Sequence, residues 1–479
     1  MKPVLLWTDG LVFLLLLAMA TAVYLSGRNL QMRQQWREVF RSRLGMAAAI
    51  IVAAYLGVAV LDSLHFRPAL APTPALTGPA GNSAEIHYSP RVLSVLDLFF
   101  GELNDPTEKS YSRPFAAFAF SQESLTGPDG ELVRAYPRLA YGGRHLEDPS
   151  KHLPADLLLK SLGAVGLGAG TGLAFAVVVA GLGWFFTRGR RTSWRRYMTE
   201  LWRESSGLSW KTALFTFIGV CVTLAWLYQL SRWYHVFGTD KVGGDVLYHT
   251  VKSIRTGVLI GLLTTLVMLP LAITMGVSAG YFGGLIDDII QYIYTTLNSI
   301  PGVLLIAAAV LILQVYMNNH PELFETEAAR SDLRLLFLCI ILGVTSWTGL
   351  CRMLRAETLK LRSLDYVEAA RAFGVGNAVL LARHILPNVT HIVLISIALD
   401  FSGLVLAEAV LSYVGVGVDP SMPSWGNMIN SARLELAREP AVWWPLAAAF
   451  VFMFILVLAA NLYADVVRDA FDPRAALKK

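Results

Sequence analysis

Charged side chains are scarce in this chain. Only 16% of its 479 residues are Asp, Glu, Lys or Arg, whereas 55% are hydrophobic. The mean hydropathy is +0.51. This composition is typical of integral membrane proteins and not of soluble domains. The net charge of +5 comes from Arg and Lys in short loops between apolar runs. We therefore take it as a sign of membrane topology and expect no binding of nucleic acid.

Patterns that carry chemistry are also missing. The three cysteines, Cys221, Cys339 and Cys351, fall in or beside apolar stretches. We expect them to be small buried side chains, with no disulfide framework or metal spacing. The chain has no Gly-x-x-x-x-Gly-Lys-Ser/Thr loop, so it is not expected to bind or hydrolyse ATP. It also has no His/Glu zinc pattern and no nucleophile beside a base. We therefore expect a chain that is not an enzyme and binds no cofactor.

Long apolar runs are what the chain does have. About nine of them are long enough to cross a hydrocarbon core of ~30 Å. They lie near residues 5–25, 44–64, 158–186, 211–231, 254–281, 289–316, 334–353, 391–412 and 441–463. These runs predict an all-α fold, a polytopic membrane bundle of about nine transmembrane helices.

Basic residues indicate how these spans are oriented. Arginines cluster between the first two runs and again between the third and fourth, and such clusters are typical of cytoplasmic loops. Alternating spans then place the N-terminus outside, with the segment around Glu368 and the C-terminal tail in the cytoplasm. The first run has some features of a cleavable signal peptide, but the positive cluster follows it, which favours a retained helix.

Residues 65–157 form the one sizeable region expected outside the membrane. Eleven of the 21 prolines lie there, and continuous apolar patterning is weak. Two interpretations stay open. The segment could pack as a cap on the outer mouth of the bundle, or it could be a Pro/Gly-rich loop that only connects spans.

A short segment with polar ends, residues 365–387, separates two apolar runs. Asp365 and Glu368 have nearly the spacing of a capping box, in which two side chains bond the first N–H groups of a helix. Alanines follow, and Gly374 is suited to end this helix. Asn377 could cap a second helix, and Pro387 is expected to stop it. The pattern predicts a compact helix–turn–helix with a face of small residues that another protein could contact.

The elements Glu-Ala-Ala at 368–370, Gly374 and His-Ile-Leu-Pro at 384–387 resemble, in their spacing, the EAA loop of ABC-importer permeases. In that family the loop is a coupling helix that docks into a groove on a cytoplasmic ATPase. The alternative is an amphipathic interfacial helix with no partner. Within a coupling loop at 357–390, the resemblance implies that the residues contacting the ATPase are Asp365, Tyr366, Glu368, Ala369, Ala370, Phe373, Gly374 and Pro387.

Residues 236–474 more broadly resemble the second permease subunit type of the dipeptide, oligopeptide and nickel class. Four further segments carry this resemblance, at 238–247, 279–284, 423–428 and 468–474. Gly244, Tyr292 and Thr295 depart from the residues common in that family, and the N-terminal part is longer than usual. The resemblance implies a six-helix importer core with extra N-terminal helices. The expected segments are N-terminal helices at 1–64, an insertion at 65–157, additional helices at 158–235 and the permease core at 236–479.

Ionisable residues inside spans are candidates for a functional path. Asp400 and Glu408 lie eight residues apart and therefore share one helix face. Both could line a hydrated translocation path, with Asp400 meeting the cargo. Alternatively, Asp400 pairs with a neighbouring helix or a water molecule, and Glu408 supports the outer gate. Asn298 and Ser299 precede Pro301 and could shape a broken helix that lines the cavity.

The resemblance implies a bacterial inner-membrane permease subunit that moves peptides or related small solutes, with nickel chelates as another possible cargo. Its expected partners are a second homologous permease, two cytoplasmic ABC ATPases that hold ATP and magnesium, an extracytoplasmic substrate-binding protein, and membrane lipid. Two other functions stay open: a secondary transporter or channel that uses the intramembrane carboxylates, and a membrane scaffold that does not transport.

Overall fold

The computed structural model describes residues 2–28, 30–70, 87–126, 132–187, 193–203, 207–323 and 326–471. The end of the segment at 468–474, together with the tail, lies outside the described residues. The described chain is mainly helical and divides into two compact units. In chain order the helices are α1 (Trp7–Arg28), α2 (Leu30–Arg41), α3 (Arg43–Asp62), α4 (Val95–Phe100), α5 (Pro149–Thr187), α6 (Trp194–Trp202), α7 (Trp210–Ser231), α8 (Val246–Phe282), α9 (Gly284–Ser299), α10 (Gly302–Asn319), α11 (Glu327–Ser346), α12 (Thr348–Arg362), α13 (Asp365–Ala372), α14 (Asn377–Leu380), α15 (Leu386–Val414), α16 (Trp425–Glu435) and α17 (Trp444–Phe471).

Strands are few and short in the described residues. β1 (Lys2–Val4), β2 (His65–Arg67) and β3 (Leu93–Ser94) form a small antiparallel sheet in that order. β4 (Glu123–Thr126) pairs with β5 (Leu132–Ala135), with Glu123 opposite Ala135 and Thr126 opposite Leu132.

Eight helical stretches in the described chain are long and apolar enough to cross a membrane. They are Arg43–Asp62, Pro149–Phe185, Trp210–Ser231, Val246–Phe282, Gly302–Asn319, Glu327–Arg362, Asn377–Val414 and Trp444–Phe471. The all-α membrane bundle predicted from the sequence is thereby confirmed. The remaining predicted span, near residues 5–25, corresponds to α1, whose apolar part, Trp7–Thr21, is shorter than these.

The apolar run at 289–316 is not one continuous span, and the broken helix expected at Asn298, Ser299 and Pro301 is present. α9 ends at Ser299, Ile300 is extended with φ −91° and ψ 129°, and α10 begins after Pro301. A residue that precedes proline is driven out of the helical region by the proline ring. The break therefore falls at Ile300, and α10 alone has the character of a span.

The first unit comprises Met1–Val4, Trp36–Thr256 and Pro423–Ala459. α5 and α7 lie side by side, and α3 contacts α7. α5 begins at Pro149, so the end of the 65–157 segment is already helical. The Tyr55 hydroxyl, on α3, donates a hydrogen bond to the Phe452 carbonyl of α17 at 2.9 Å.

The described residues of the 65–157 segment pack onto the loop between α7 and α8. The Glu108 carboxylate accepts hydrogen bonds from the Ala140 and Tyr141 backbone N–H groups at 3.0 and 2.8 Å, and it lies 3.5 Å from His235. The Thr239 hydroxyl donates to the Ser110 carbonyl at 2.8 Å. These contacts show that the described part is packed against this loop. Residues 71–86 and 127–131 lie outside the described residues.

The second unit comprises Leu5–Gln35, Gly257–Met422 and Ala460–Lys479. α1 packs against α11, where the Asp332 carboxylate accepts a hydrogen bond from the Thr8 backbone N–H at 3.0 Å. α8 and α12 approach closely at Gly280, because a Cβ there would lie 2.6 Å from the Thr358 Cβ and 2.7 Å from the Arg355 carbonyl. This crossing anchors the residues that follow α12.

Candidate functional site

The candidate site is the turn of short helices that follows α12. α13 begins at Asp365, after Leu364 in an extended conformation, and no side chain caps it. The expected capping box between Asp365 and Glu368 is therefore wrong. With Leu364 as the N-cap residue, both carboxylates lie within the first helical turn, where the positive end of the helix dipole stabilises them.

The end of α13 is the one expected at Gly374. Its φ is +76°, a left-handed conformation that glycine adopts without strain. The Val375 N–H donates to the Ala370 carbonyl at 3.1 Å, and the Gly374 N–H donates to the Arg371 carbonyl at 3.0 Å. This pair of bonds is a Schellman motif, which satisfies the last carbonyls of a helix. The prediction that Gly374 ends the helix is confirmed.

The second helix differs from expectation at both ends. Gly376, not Asn377, is the N-cap residue of α14, and the Asn377 amide oxygen instead accepts a hydrogen bond from the Tyr281 hydroxyl at 2.8 Å. Pro387 does not stop a helix. It lies in the first turn of α15, after a π-helical turn at Leu381–Ile385. A wide turn relaxes the hydrogen-bond ladder, so proline is tolerated where a regular helix would exclude it.

One face of this segment is buried. Val367, Leu380, Ile385 and Val389 are each 0% exposed and join a cluster that includes Leu354 of α12. Ala370 is partly buried against the same cluster. These side chains fix α13, α14 and the start of α15 to the bundle as one packed body.

The opposite face is exposed. Phe373 is 88% exposed and Tyr366 is 44% exposed. Glu368 and Ala369 are also exposed. The structure thus brings Asp365, Tyr366, Glu368, Ala369, Phe373 and Gly374 onto one accessible segment. Pro387 is exposed too, on the following helix. An exposed aromatic side chain such as Phe373, on short helices whose other face is buried, marks a candidate contact surface.

Supporting residues around Tyr281 were missed by the sequence reasoning. Besides donating to Asn377, Tyr281 offers its carbonyl to an Arg362 N–H at 3.1 Å. The Arg371 guanidinium carbon lies 5.2 Å from the centre of its ring. Arg355 forms a two-pronged ion pair with Asp287, at 2.5 and 2.7 Å. Hydrogen bonds from this guanidinium lower the pKa of the Asp287 carboxyl from its ordinary value. The opposite charges of Asp287, near the start of α9, and Arg355, on α12, were the sequence feature that could have suggested this ion pair.

The candidate path residues have separate partners. The Asn298 amide oxygen accepts a hydrogen bond from the Thr348 hydroxyl at 3.1 Å. Ser299 is the last residue of α9, and its hydroxyl donates to the Thr296 carbonyl at 2.7 Å. On α15, Glu408 is 1% exposed and accepts from the Ser412 hydroxyl at 2.7 Å. Asp400 is half-buried.

Comparison with known proteins places the site within a family. The profile of the family described as "Binding-protein-dependent transport system inner membrane component" matches residues 272–477. A glutathione transport system permease protein of Pectobacterium atrosepticum is 28% identical over 300 residues, 59% of this chain and 92% of that protein. An oligopeptide transport system permease protein of Mycobacterium bovis is 31% identical over 239 residues, 50% of this chain and 76% of that protein. The chain belongs to this family.

Family membership makes this chain a multi-pass inner-membrane component of a transport system. A putative peptide permease protein of Brucella suis is also similar, at 32% identity over 51% of this chain and 75% of its own length. The family match begins inside α8 and contains the whole candidate site. α1 to α7 precede the matched range. Within the described residues, no group of three or more His, Cys, Asp and Glu side chains could hold a metal ion.

Proposed function

We propose that this chain is a permease subunit of an ATP-driven importer and that the segment 365–374 couples it to an ATPase. The cargo class follows from the relatives, whose names specify glutathione, oligopeptide and peptide transport. Peptides or related small solutes are therefore the proposed cargo.

One observation carries the proposal: the segment is tightly anchored and yet offers an exposed aromatic. Val367 is fully buried, while Phe373, six residues on, is 88% exposed. This arrangement suits a short helix that inserts its exposed face into a groove of a partner. Two cytoplasmic ABC ATPases would supply that groove. They would hold ATP and magnesium, while this chain binds neither.

The packing suggests how motion passes into the bundle. The ATPases would close on ATP and displace α13. Through Val367 and Leu380 this displacement would reach α12, and through the Asn377–Tyr281 hydrogen bond it would reach α8. ATP would thereby shift the population between inward-open and outward-open arrangements.

Topology and partners complete the proposal. The N-terminus lies outside and the C-terminus in the cytoplasm of a bacterial inner membrane, in keeping with the positions of the basic loops. A second homologous permease encloses the pathway. The segment at 65–157 caps the outer mouth, where an extracytoplasmic binding protein delivers cargo. Asp400, Asn298 and Ser299 line the path, and Glu408, held by Ser412, supports the outer gate.

The test compares two glycine substitutions in the site. Gly374→Val forces a β-branched residue into φ +76° and disrupts the Schellman motif. Gly376→Ala is the matched control, because Gly376 has φ −62° and a Cβ there would meet nothing within 4 Å. A tagged chain is purified in mild detergent, its companions are identified by mass spectrometry, and cargo uptake is measured in cells.

We expect the wild type and Gly376→Ala to retain an ATPase and a second permease and to support uptake. Gly374→Val should express and insert but lose the ATPase and uptake. Normal uptake by a stably expressed Gly374→Val variant would contradict the coupling role. A wild-type chain that purifies intact and alone would contradict the importer itself, and would favour Asp400 and Glu408 as coupling-ion sites of a secondary transporter.

A further inference from the structure

A cavity of about 620 Å³ lies among α5, α6 and α7, outside the part of the chain that matches the family. Its wall is almost entirely apolar and includes Phe175 of α5, Trp202 of α6 and Phe217 of α7. The volume falls within the range of small-molecule sites, roughly 300–1,000 Å³. Nothing in the proposed transport mechanism uses this cavity.

The cavity lies beside a close contact between two helices. α5 and α7 touch at Gly168, where a Cβ would lie 2.6 Å from the Val222 Cα. Further along α5, the rings of Phe175 and Phe217, which both line the cavity, stack with their centres 4.9 Å apart. α6 packs against the end of α5, where the Trp194 ring lies edge-on to the Trp184 ring with their centres 5.8 Å apart. Large aromatic side chains therefore line this apolar cavity and leave its interior open.

A second cavity, of about 360 Å³, adjoins the first and has a different character. Arg43, Lys211, Thr212, Phe215 and Thr216 line it, so two cations and two hydroxyls share its wall with one aromatic ring. Lys211 lines both cavities, and its ammonium nitrogen lies 5.5 Å from the centre of the Trp202 ring. The apolar space therefore ends at a cationic one.

The starts of α3 and α7 supply this cationic end. The Ser209 backbone N–H donates to the Phe40 carbonyl at 3.2 Å, and the Ser209 hydroxyl donates to the Arg41 carbonyl. Phe40 and Arg41 are the last residues of α2, so these bonds tie the start of α7 to the chain directly before α3. Ser209 is the N-cap residue of α7, but its side chain makes no capping hydrogen bond. The first N–H groups of that helix and its dipole add positive potential beside the side chains of Arg43 and Lys211.

We propose that these adjoining cavities bind one anionic phospholipid, with an acyl chain in the apolar cavity and the phosphate between Arg43 and Lys211. An apolar space that opens onto two cations matches the two ends of such a lipid. α6 has the composition of a helix at a membrane surface, with tryptophan at each end and Arg195 and Arg196 between. Basic pockets between spans are favourable places for anionic headgroups. A second transmembrane helix would leave the cationic end without a partner.

The headgroup part is tested by competition between lipids. The full chain, with whatever subunits it retains, is equilibrated with equal amounts of phosphatidylglycerol and phosphatidylcholine, and retained lipids are counted by native mass spectrometry. Wild type should retain phosphatidylglycerol in preference. Arg43→Gln and Lys211→Gln should each reduce that preference about fivefold. Lys151→Gln, at the other end of α5, is the control and should leave the preference unchanged.

The acyl-chain part is tested by filling the cavity. Ala180 lines it, and Ala174, on the same helix, is exposed and outside the lining. Ala180→Phe should reduce phosphatidylglycerol retention at least fivefold without lowering the thermal midpoint, whereas Ala174→Phe should reduce it little.

Three outcomes would overturn the proposal. The first is equal retention of both lipids by the wild type. The second is an undiminished preference in Lys211→Gln and Arg43→Gln. The third is a membrane protein that copurifies with the wild type and is released by Ala180→Phe, because a protein would then occupy the cavity.

Discussion

At the scale of single residues, Phe373 carries the exposed face of the candidate site. It is 88% exposed, so truncation removes little packing from this chain. We expect Phe373→Ala to leave the thermal midpoint unchanged and to weaken ATPase binding at least tenfold, as loss of an aromatic contact at an interface centre does. Val379→Ala is the control, since Val379 is 52% exposed in the same turn. Binding of the detergent-purified chain to its ATPase is the measurement, and equal losses in both variants would contradict a specific role for Phe373.

His235 is a buried histidine that lies between two carboxylates. It is fully buried, with Nδ1 2.7 Å from the Asp245 carboxylate and Nε2 3.5 Å from that of Glu108. Burial alone would lower its pKa, but hydrogen bonds and charge from Asp245 and Glu108 prevail and raise the pKa to about 9. A protonated imidazole therefore joins the 65–157 segment to the loop before α8.

This shift predicts the direction of a pH dependence. The unfolded pKa is about 6.5, so the folded chain binds more protons between that value and 9. The contribution of His235, about 3 kcal/mol, should be complete below pH 6.5 and lost as pH rises through 9. We expect the thermal midpoint of the wild type to fall between pH 7 and pH 9.5, and that of His235→Gln to be lower at pH 6.5 and nearly flat. Parallel curves for the two proteins would refute this assignment.

Residue-scale sequence reasoning succeeded where a local rule acts alone. The end of α13 at Gly374 was predictable because the preference of glycine for a left-handed conformation depends on that residue alone. Tyr281 and Asp287 could not be assigned roles, because their partners lie about 70 to 100 residues away in sequence. The prediction that Asn377 caps α14 was wrong for a related reason. Its amide competes between capping α14 and binding a distant hydroxyl, and the distant hydroxyl prevails.

At the scale of elements, the crossing of α8 and α12 supports the candidate site. Gly280→Val would bring a branched side chain against the Thr358 side chain and the Arg355 carbonyl. Overpacking of this kind costs about 1–3 kcal/mol, and we expect a lower thermal midpoint together with weakened coupling. Gly349→Ala, on α12, is the control, because a Cβ there would meet nothing within 4 Å. An unchanged midpoint in Gly280→Val would show that this crossing is not tightly packed.

Element boundaries were predicted less well than elements. The apolar runs located the spans because hydrocarbon thickness sets their length. Helix ends depend on which nearby group bonds the free N–H and C=O groups of the terminal turns. At the start of α13, Leu364 is the extended N-cap residue, and the expected capping box does not form. Pro387 was taken as a stop, since periodicity alone does not reveal a π-turn.

At the scale of the whole molecule, the proposed topology can be tested in cells. Ser121→Cys lies on the 65–157 segment and Ser363→Cys just before α13, and both positions are exposed. If the N-terminus is outside, a membrane-impermeant maleimide should label Ser121→Cys in intact cells. Ser363→Cys should be labelled only after lysis. The native cysteines are buried or half-buried, and the unsubstituted chain supplies the background. Labelling of Ser363→Cys in intact cells would reverse the orientation.

Asn377–Val414 runs as 38 continuous helical residues, from the turn beside the exposed aromatic to the far end of a span. At 1.5 Å per residue this is a rod about 57 Å long. Swinging such a rod by roughly 10° about its docking end would carry its other end through about 10 Å. Under the proposed coupling, a small rotation at the docking surface would therefore become, across the bilayer, a movement as wide as a helix. The π-helical turn at Leu381–Ile385 lies near this pivot, and bending there would reduce the movement that reaches the other end.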